Sequence, residues 1–103
     1  MNDPLPVSVV ERAARQILEA SEWWELHRPA APGAVEEELR CAFQLLAEYP
    51  RIGARARNTR LESVRRLALA RIRYDLYYRV TEKPPGIEVL AFWHASRGRG
   101  PGL

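Results

Sequence analysis

A chain of 103 residues, 47% hydrophobic and 28% charged, has room for one domain around a single modest core. Nowhere do about 18 apolar residues run together, so no membrane-spanning helix is expected, and MNDPLPVSVVERAA lacks the basic-then-apolar order of a secretory signal. Cys41 is the single cysteine, which excludes an internal disulfide, fits a reducing cytoplasm and reads as a small buried apolar residue.

The net charge of +3 hides a division. Residues 1–50 carry nine acids and four arginines, a net −5, whereas residues 51–79 carry nine arginines and two acids, a net +7. Such asymmetry suits a face that meets a polyanion or an acidic partner. Lys83 is the sole lysine; arginine's planar fork favours two-pronged contact with phosphate or carboxylate.

In chain order, LPVSVV (Leu5 to Val10) is short and β-branched and predicts an edge strand joining a later hairpin, with Pro6 near its start. Ser8 followed by Glu11 also fits a helix-capping box, and the two readings are compatible if the strand is short. From Glu11 to about His27, Val10, Ala14, Ile17, Leu18, Ser21 and Trp24 recur at helical spacing. Trp24 falls on that stripe as core, while Trp23, about 100° round the helix, falls off it. Arg28-Pro29-Ala30-Ala31-Pro32-Gly33 stops the helix. A second helix, about Ala34 to Glu48, buries Val35, Leu39, Ala42, Phe43 and Leu46 and carries Glu36, Glu37 and Glu38 in its first turn. The short link predicts an antiparallel helical hairpin.

Tyr49-Pro50 ends that helix. Arg51 to Ser63 has no period and reads as an extended basic loop; Val64 to Ala70 resumes a strand. Arg71 and Ile72 are open to forming a turn or bend into a hairpin; from Ile72, apolar residues (Ile72, Tyr74, Leu76, Tyr78, Val80) alternate strictly with Arg71, Arg73, Asp75, Tyr77 and Arg79, the mark of a strand buried on one face. Lys83-Pro84-Pro85-Gly86 is a turn in which glycine supplies a positive φ. Ile87 to His94 is apolar on both faces and reads as a central strand. The predicted fold is α+β in the order β-α-α-β-β-β, an antiparallel helical hairpin on one face of a small antiparallel sheet. Residues 1–96 form the domain, and 97–103 form a flexible basic tail. The open sheet face would show Arg71, Arg73, Tyr77 and Arg79.

The ordered set PVSVV, ERAARQILEASEWW, LLAEYPRIG, VRRLALARIRYDLYYRV and VLAFWHASR resembles the RelE/ParE superfamily of bacterial type II toxins over about residues 6–97, nearer its ParE side. Val10 departs from the Ser-like helix cap frequent in that family. The resemblance implies a toxin neutralised by a cognate antitoxin of the ParD-like, ribbon-helix-helix kind, with DNA gyrase as the target. It implies the C-terminal end, here His94, Arg97 and Arg99, for target engagement. The RelE side of the superfamily implies ribosome-dependent cleavage of mRNA instead.

Metal-free RNA cleavage needs a base, an acid and cations for the developing phosphate charge. Arginine stays protonated and cannot be the base. His94 remains as base, with Tyr77 as acid and Arg79 as cation, against the plainer readings of a structural imidazole and a packed tyrosine. No phosphate-binding glycine motif and no metal-ligand spacing occurs, so no cofactor or metal is expected. For antitoxin binding the candidates are Trp23, whose exposure calls for a covering partner, with Arg71, Arg73, Tyr77 and Arg79. Three functions stay open: a gyrase inhibitor without chemistry of its own, an mRNA endonuclease, and an inactive interaction module.

Overall fold

The computed structural model describes residues 3–103. Its elements are β1 (Val7–Val9), α1 (Glu11–His27), α2 (Ala34–Glu48), β2 (Ala54–Arg55), β3 (Arg65–Leu69), β4 (Tyr74–Glu82) and β5 (Pro85–His94). They form one five-stranded sheet in the order β1-β5-β4-β3-β2, with the two helices on one face, the α+β arrangement anticipated. Glu36, early in α2, contacts Ser21, late in α1. At the other end of the hairpin the Leu5 amide donates to the Ala47 carbonyl (3.0 Å). The two helices therefore run in opposite directions.

The sheet is mixed rather than wholly antiparallel. β1 pairs with β5 in parallel, Val7 opposite Ile87 and Val9 opposite Val89. The reason is α1: the chain leaves β1 at Val10, whose amide still bonds the Val89 carbonyl (3.1 Å), and enters the helix without reversing. Ser8 lies within β1, its hydroxyl donating to the Ile87 carbonyl (3.4 Å), and Val10 occupies the N-cap position with no side-chain bond. Strand, not capping box, is what this segment became.

β1 ends after three residues, so beyond Val89 the outer edge of β5 has no neighbouring strand. Gln16 of α1 takes that place, its side-chain oxygen accepting from the Phe92 amide (2.8 Å). Ile87 to His94 is thus central only at its start.

Its two apolar faces have a separate cause. Tyr77 pairs with Ala91 but Tyr78 with Val89, leaving Leu90 as an extra residue. Such a bulge shifts side-chain parity. Ile87, Val89 and Phe92 join α1, α2, Leu69, Ile72, Leu76 and Tyr78 in the main core. Leu90 and Ala91 join Val64 and Tyr77 in a second cluster, packed on by Val10, Ala56, Trp93 and Leu103.

That second cluster corrects the open-face expectation. Tyr77 is 1% exposed, its hydroxyl accepting from the Asn58 amide group (2.9 Å). Period-two alternation reports that one face is buried and cannot see a loop and a chain end folding over the other. Residues 97–103, expected as a flexible tail, pack back: the Trp93 indole donates to the Arg99 carbonyl (2.8 Å). Arg12 donates to the Pro101 carbonyl, Pro101 is fully buried, and the Arg60 amide bonds the Leu103 main-chain oxygen (2.6 Å).

Three local corrections remain. Arg71 to Arg73 is a turn rather than strand, with Arg73 at φ 60°; the turn carries Arg71 to the helical side, where it meets Glu37 (3.3 Å) and Glu38 (3.6 Å) of α2. Gly86 is not at positive φ. It pairs with Thr81 inside the hairpin, and a Cβ there would come 3.2 Å from the Pro6 carbonyl, so glycine lets β1 approach. Cys41 is exposed, one position off the buried Leu39–Ala42–Leu46 stripe.

Candidate functional site

Where β5 loses its neighbour, a cleft of about 470 Å³ opens between α1 and the end of the hairpin. Along α1, Arg12, Gln16, Glu19 and Trp23 recur every three or four residues and so share one side of the helix, beside its buried stripe. The opposite wall is Tyr74, Phe92 and His94. The register sets this: Tyr74 lies opposite His94 and Leu76 opposite Phe92, and past the Leu90 bulge the even positions of β5 turn toward the helix. Tyr74 stacks on Phe92 (4.5 Å between centroids) and meets His94 edge-on (5.0 Å).

Arginine surrounds this aromatic floor. Arg15 and Arg97 line the cleft with Arg12, and the Arg97 guanidinium lies 4.2 Å from the Trp93 ring centroid, a cation–π contact. Burial pushes the Tyr74 hydroxyl above its ordinary value; Arg97 opposes and Glu19 adds to that shift. Tyr74 is therefore a neutral hydrogen-bonding group at physiological pH. On the other face, opposite Trp93 in the ladder, Asp75 is also raised by burial, against the pull of Arg66 and His94.

His94 Nδ1 lies 2.6 Å from the Ser96 hydroxyl and accepts from the Ser96 amide (3.2 Å). Trp23 is 43% exposed, stacks on His27 (4.5 Å) and has Arg28 5.5 Å from its ring centroid.

Trp23, His94 and Arg97 thus meet at one cleft, although the sequence reading assigned them to different partners. The other candidates disperse. Tyr77 is buried on the far face. Arg79 is tied to Glu88 (2.7 Å) and lies five residues along β4 from the position opposite His94, about 16 Å at strand rise. Arg71 is engaged with α2, and Arg73 stands exposed in the turn. Arg99 is exposed but its carbonyl is held by Trp93. Sequence reading missed Arg12, Arg15, Gln16 and Glu19. Their signal was present as a polar stripe flanking the apolar one on the first helix. Among the described residues, no three His, Cys, Asp or Glu side chains gather as a metal site, and no helix is long and apolar enough to cross a membrane.

Residues 7–98 match the family model described as the ParE toxin of the type II toxin–antitoxin system parDE. This chain belongs to the ParE toxin family. A curated relative from Sinorhizobium fredii (strain NBRC 101917 / NGR234), named "Putative toxin Y4kP", is 36% identical over 84 residues, covering 82% of this chain and 81% of that protein. Two solved structures share the ParE fold. One, described as a chromosomal ParDE TA system from P. aeruginosa, has a TM-score of 0.71 at 17% identity, covering 89% of this chain and 97% of its own. The other, from the toxin–antitoxin complex RelBE2 of Mycobacterium tuberculosis, has a TM-score of 0.61 at 24% identity, covering 88% and 98%. The YPRIG and YYRV segments that carried the sequence resemblance touch: the Gly53 amide donates to the Tyr78 hydroxyl (2.9 Å), and a Cβ on Gly53 would sit 2.7 Å from that oxygen.

Proposed function

We propose that this type II toxin arrests growth by binding DNA gyrase in the cytoplasm, without chemistry of its own, and that a cognate ParD-like, ribbon-helix-helix antitoxin neutralises it. The cleft beside α1 is the contact region. His94, Arg97 and Arg99 engage the target, and Trp23 on the same rim anchors the antitoxin, so a bound antitoxin covers what the target needs. Exposed Arg73 extends the antitoxin surface. Arg71 and Arg79 contribute through ion pairs they already make within the chain, and Tyr77 drops out because its ring is buried.

What supports this reading is the aromatic and cationic rim of the cleft, where Trp23, Trp93, Arg15 and Arg97 surround Tyr74 and His94, while the acid and cation that the sequence offered beside His94, Tyr77 and Arg79, lie elsewhere. A general base must lie within hydrogen-bond reach of its proton, with an acid and cations around the same phosphate. His94 lies in the cleft, Tyr77 lies under the other face, and Arg79 is about 16 Å along the strand and bonded to Glu88. What His94 does have nearby is an aromatic and cationic rim suited to holding a macromolecule. Inducible expression, alone and with the neighbouring antitoxin gene, tests the proposal. Filamentation with DNA damage, relieved by co-expression, is the expected result. Rapid translation arrest with messages cut on ribosomes would establish the endonuclease instead, and no growth effect would favour an inactive module.

A further inference from the structure

The cleft uses little of the positive charge in the middle of the chain. From Arg51 to Arg66 there are six arginines and one acid. They lie before β2, on β2, on β3 and on the segment between, two to three strands from β5 and so about 10–14 Å across the sheet; Arg55 and Arg65 share the face of Tyr78, and Arg66 that of Tyr77. Among the described residues, the ion pairs are made by Arg71 and Arg79 alone. Arg51, Arg55, Arg57, Arg60, Arg65 and Arg66 make no ion pair. Arg51, Arg55, Arg57, Arg60 and Arg66 are exposed.

The arrangement costs stability. Arg55 stands directly opposite Arg65 in the β2–β3 ladder, and like charges directly opposed across strands are destabilising. Arg65 is nonetheless fixed there, its guanidinium donating to the Gly53 carbonyl (2.8 Å) and the Arg51 carbonyl (3.2 Å). Beside the pair is a hollow of about 350 Å³ lined by Arg51, Arg55, Ser63 and Arg65, with Glu82 at its wall. Within the fold Glu62, Glu82 at the hollow's wall and Asp75 near Arg66 answer only part of this charge; an external polyanion would offset the rest.

Chemistry decides which polyanion. Protein interfaces centre on buried aromatic anchors, and single-stranded nucleic acid is held by bases stacked on aromatic rings. Residues 51–66 contain no Trp, Tyr, Phe or Met. A strip of guanidinium forks without a stacking platform matches the phosphates of a duplex, which it would follow without reading bases. We infer that the β2–β3 edge of this protein is a sequence-independent binding surface for the phosphate backbone of double-stranded DNA, separate from the cleft.

The test is fluorescence anisotropy of a labelled 20-base-pair duplex of arbitrary sequence, titrated with the purified full chain between 50 and 200 mM salt. Neither gyrase nor antitoxin is present, so the outcome is independent of the function proposed above. Six phosphate contacts would give log K a slope against log salt of up to about −5, or roughly a thousandfold loss over that range. The variant Arg55→Gln/Arg57→Gln/Arg66→Gln should bind at least tenfold more weakly at 50 mM salt and flatten the slope by about 3. Removing equal charge elsewhere, as Arg28→Gln/Arg40→Gln/Lys83→Gln, should leave affinity within about twofold. Thermal melts confirm that both triples fold. Absence of binding at 50 mM salt, equal loss in the two triples, or tighter binding of single-stranded RNA or poly-glutamate than of the duplex would each overturn the inference.

Discussion

Replacing Tyr78 by phenylalanine should cost far more than the same change at its neighbour Tyr77, although both rings are buried. Tyr78 is 0% exposed, and its hydroxyl accepts from the buried Gly53 amide at 2.9 Å. Gly53 cannot turn that amide to water, since it is packed so closely that a Cβ would lie 2.7 Å from the Tyr78 oxygen and 3.0 Å from the Arg66 carbonyl. Tyr78→Phe therefore leaves a buried donor unpaired, at about 1–3 kcal/mol. At the midpoint, roughly 2 kcal/mol corresponds to a fall in Tm of about 8–16 °C for a domain of this size. The Tyr77 hydroxyl instead bonds the side chain of Asn58, an exposed residue whose amide group is not sealed from water as the buried Gly53 amide is. Tyr77→Phe should cost about 0.5–1 kcal/mol. Urea melts at pH 7 give both values. They also carry a pH signature. Burial holds the Tyr78 pKa above 10.0, with the Gly53 bond and Arg65 opposing. A raised folded pKa gives stability that is fully present below the unfolded value and lost as pH rises through the folded one. Wild type should lose stability above pH 10 more steeply than Tyr78→Phe, narrowing the gap between them. Equal costs at the two positions, or a Tyr78→Phe variant within 0.5 kcal/mol of wild type, would refute this account of how the two motifs are joined.

Trp23→Ala should leave Tm nearly unchanged, because the ring is 43% exposed, yet weaken antitoxin binding by about 2 kcal/mol, roughly thirtyfold in Kd by calorimetry. Deleting residues 97–103 should lower Tm and raise dye binding to exposed apolar surface, since Leu103 packs on the cluster of Tyr77, Leu90 and Ala91 and Pro101 is itself buried; Arg97→Ala/Arg99→Ala should keep the fold and lose toxicity. Asp75→Asn should raise Tm at pH 7. Burial lifts the Asp75 pKa from 3.8, so stability falls as pH climbs past that value, and the advantage of asparagine should vanish near pH 3.

Both helices, their order and the hairpin were legible, because each buries one stripe against one neighbour and the 3.6- and 2-residue periods record that. What escaped depends on contacts between segments distant in sequence. β1 looks the same on its own whether its partner runs parallel or antiparallel. The Leu90 bulge hides within an unbroken apolar run, where a parity shift leaves no trace. Tyr77 and the last seven residues escaped together: the tail reads as loose by its glycines and arginines, and only the far face of the sheet gives Pro101 and Leu103 somewhere to pack. The cleft was half legible. Trp23, His94 and Arg97 stood out as residue types, but their meeting follows from α1 running along the same edge that β1 abandons.

The most direct test is a supercoiling assay with purified gyrase, relaxed plasmid and this protein. The account predicts dose-dependent inhibition, relieved by stoichiometric antitoxin and lost in Arg97→Ala/Arg99→Ala. Undiminished supercoiling at every concentration, from protein that is folded and still toxic in cells, would contradict it.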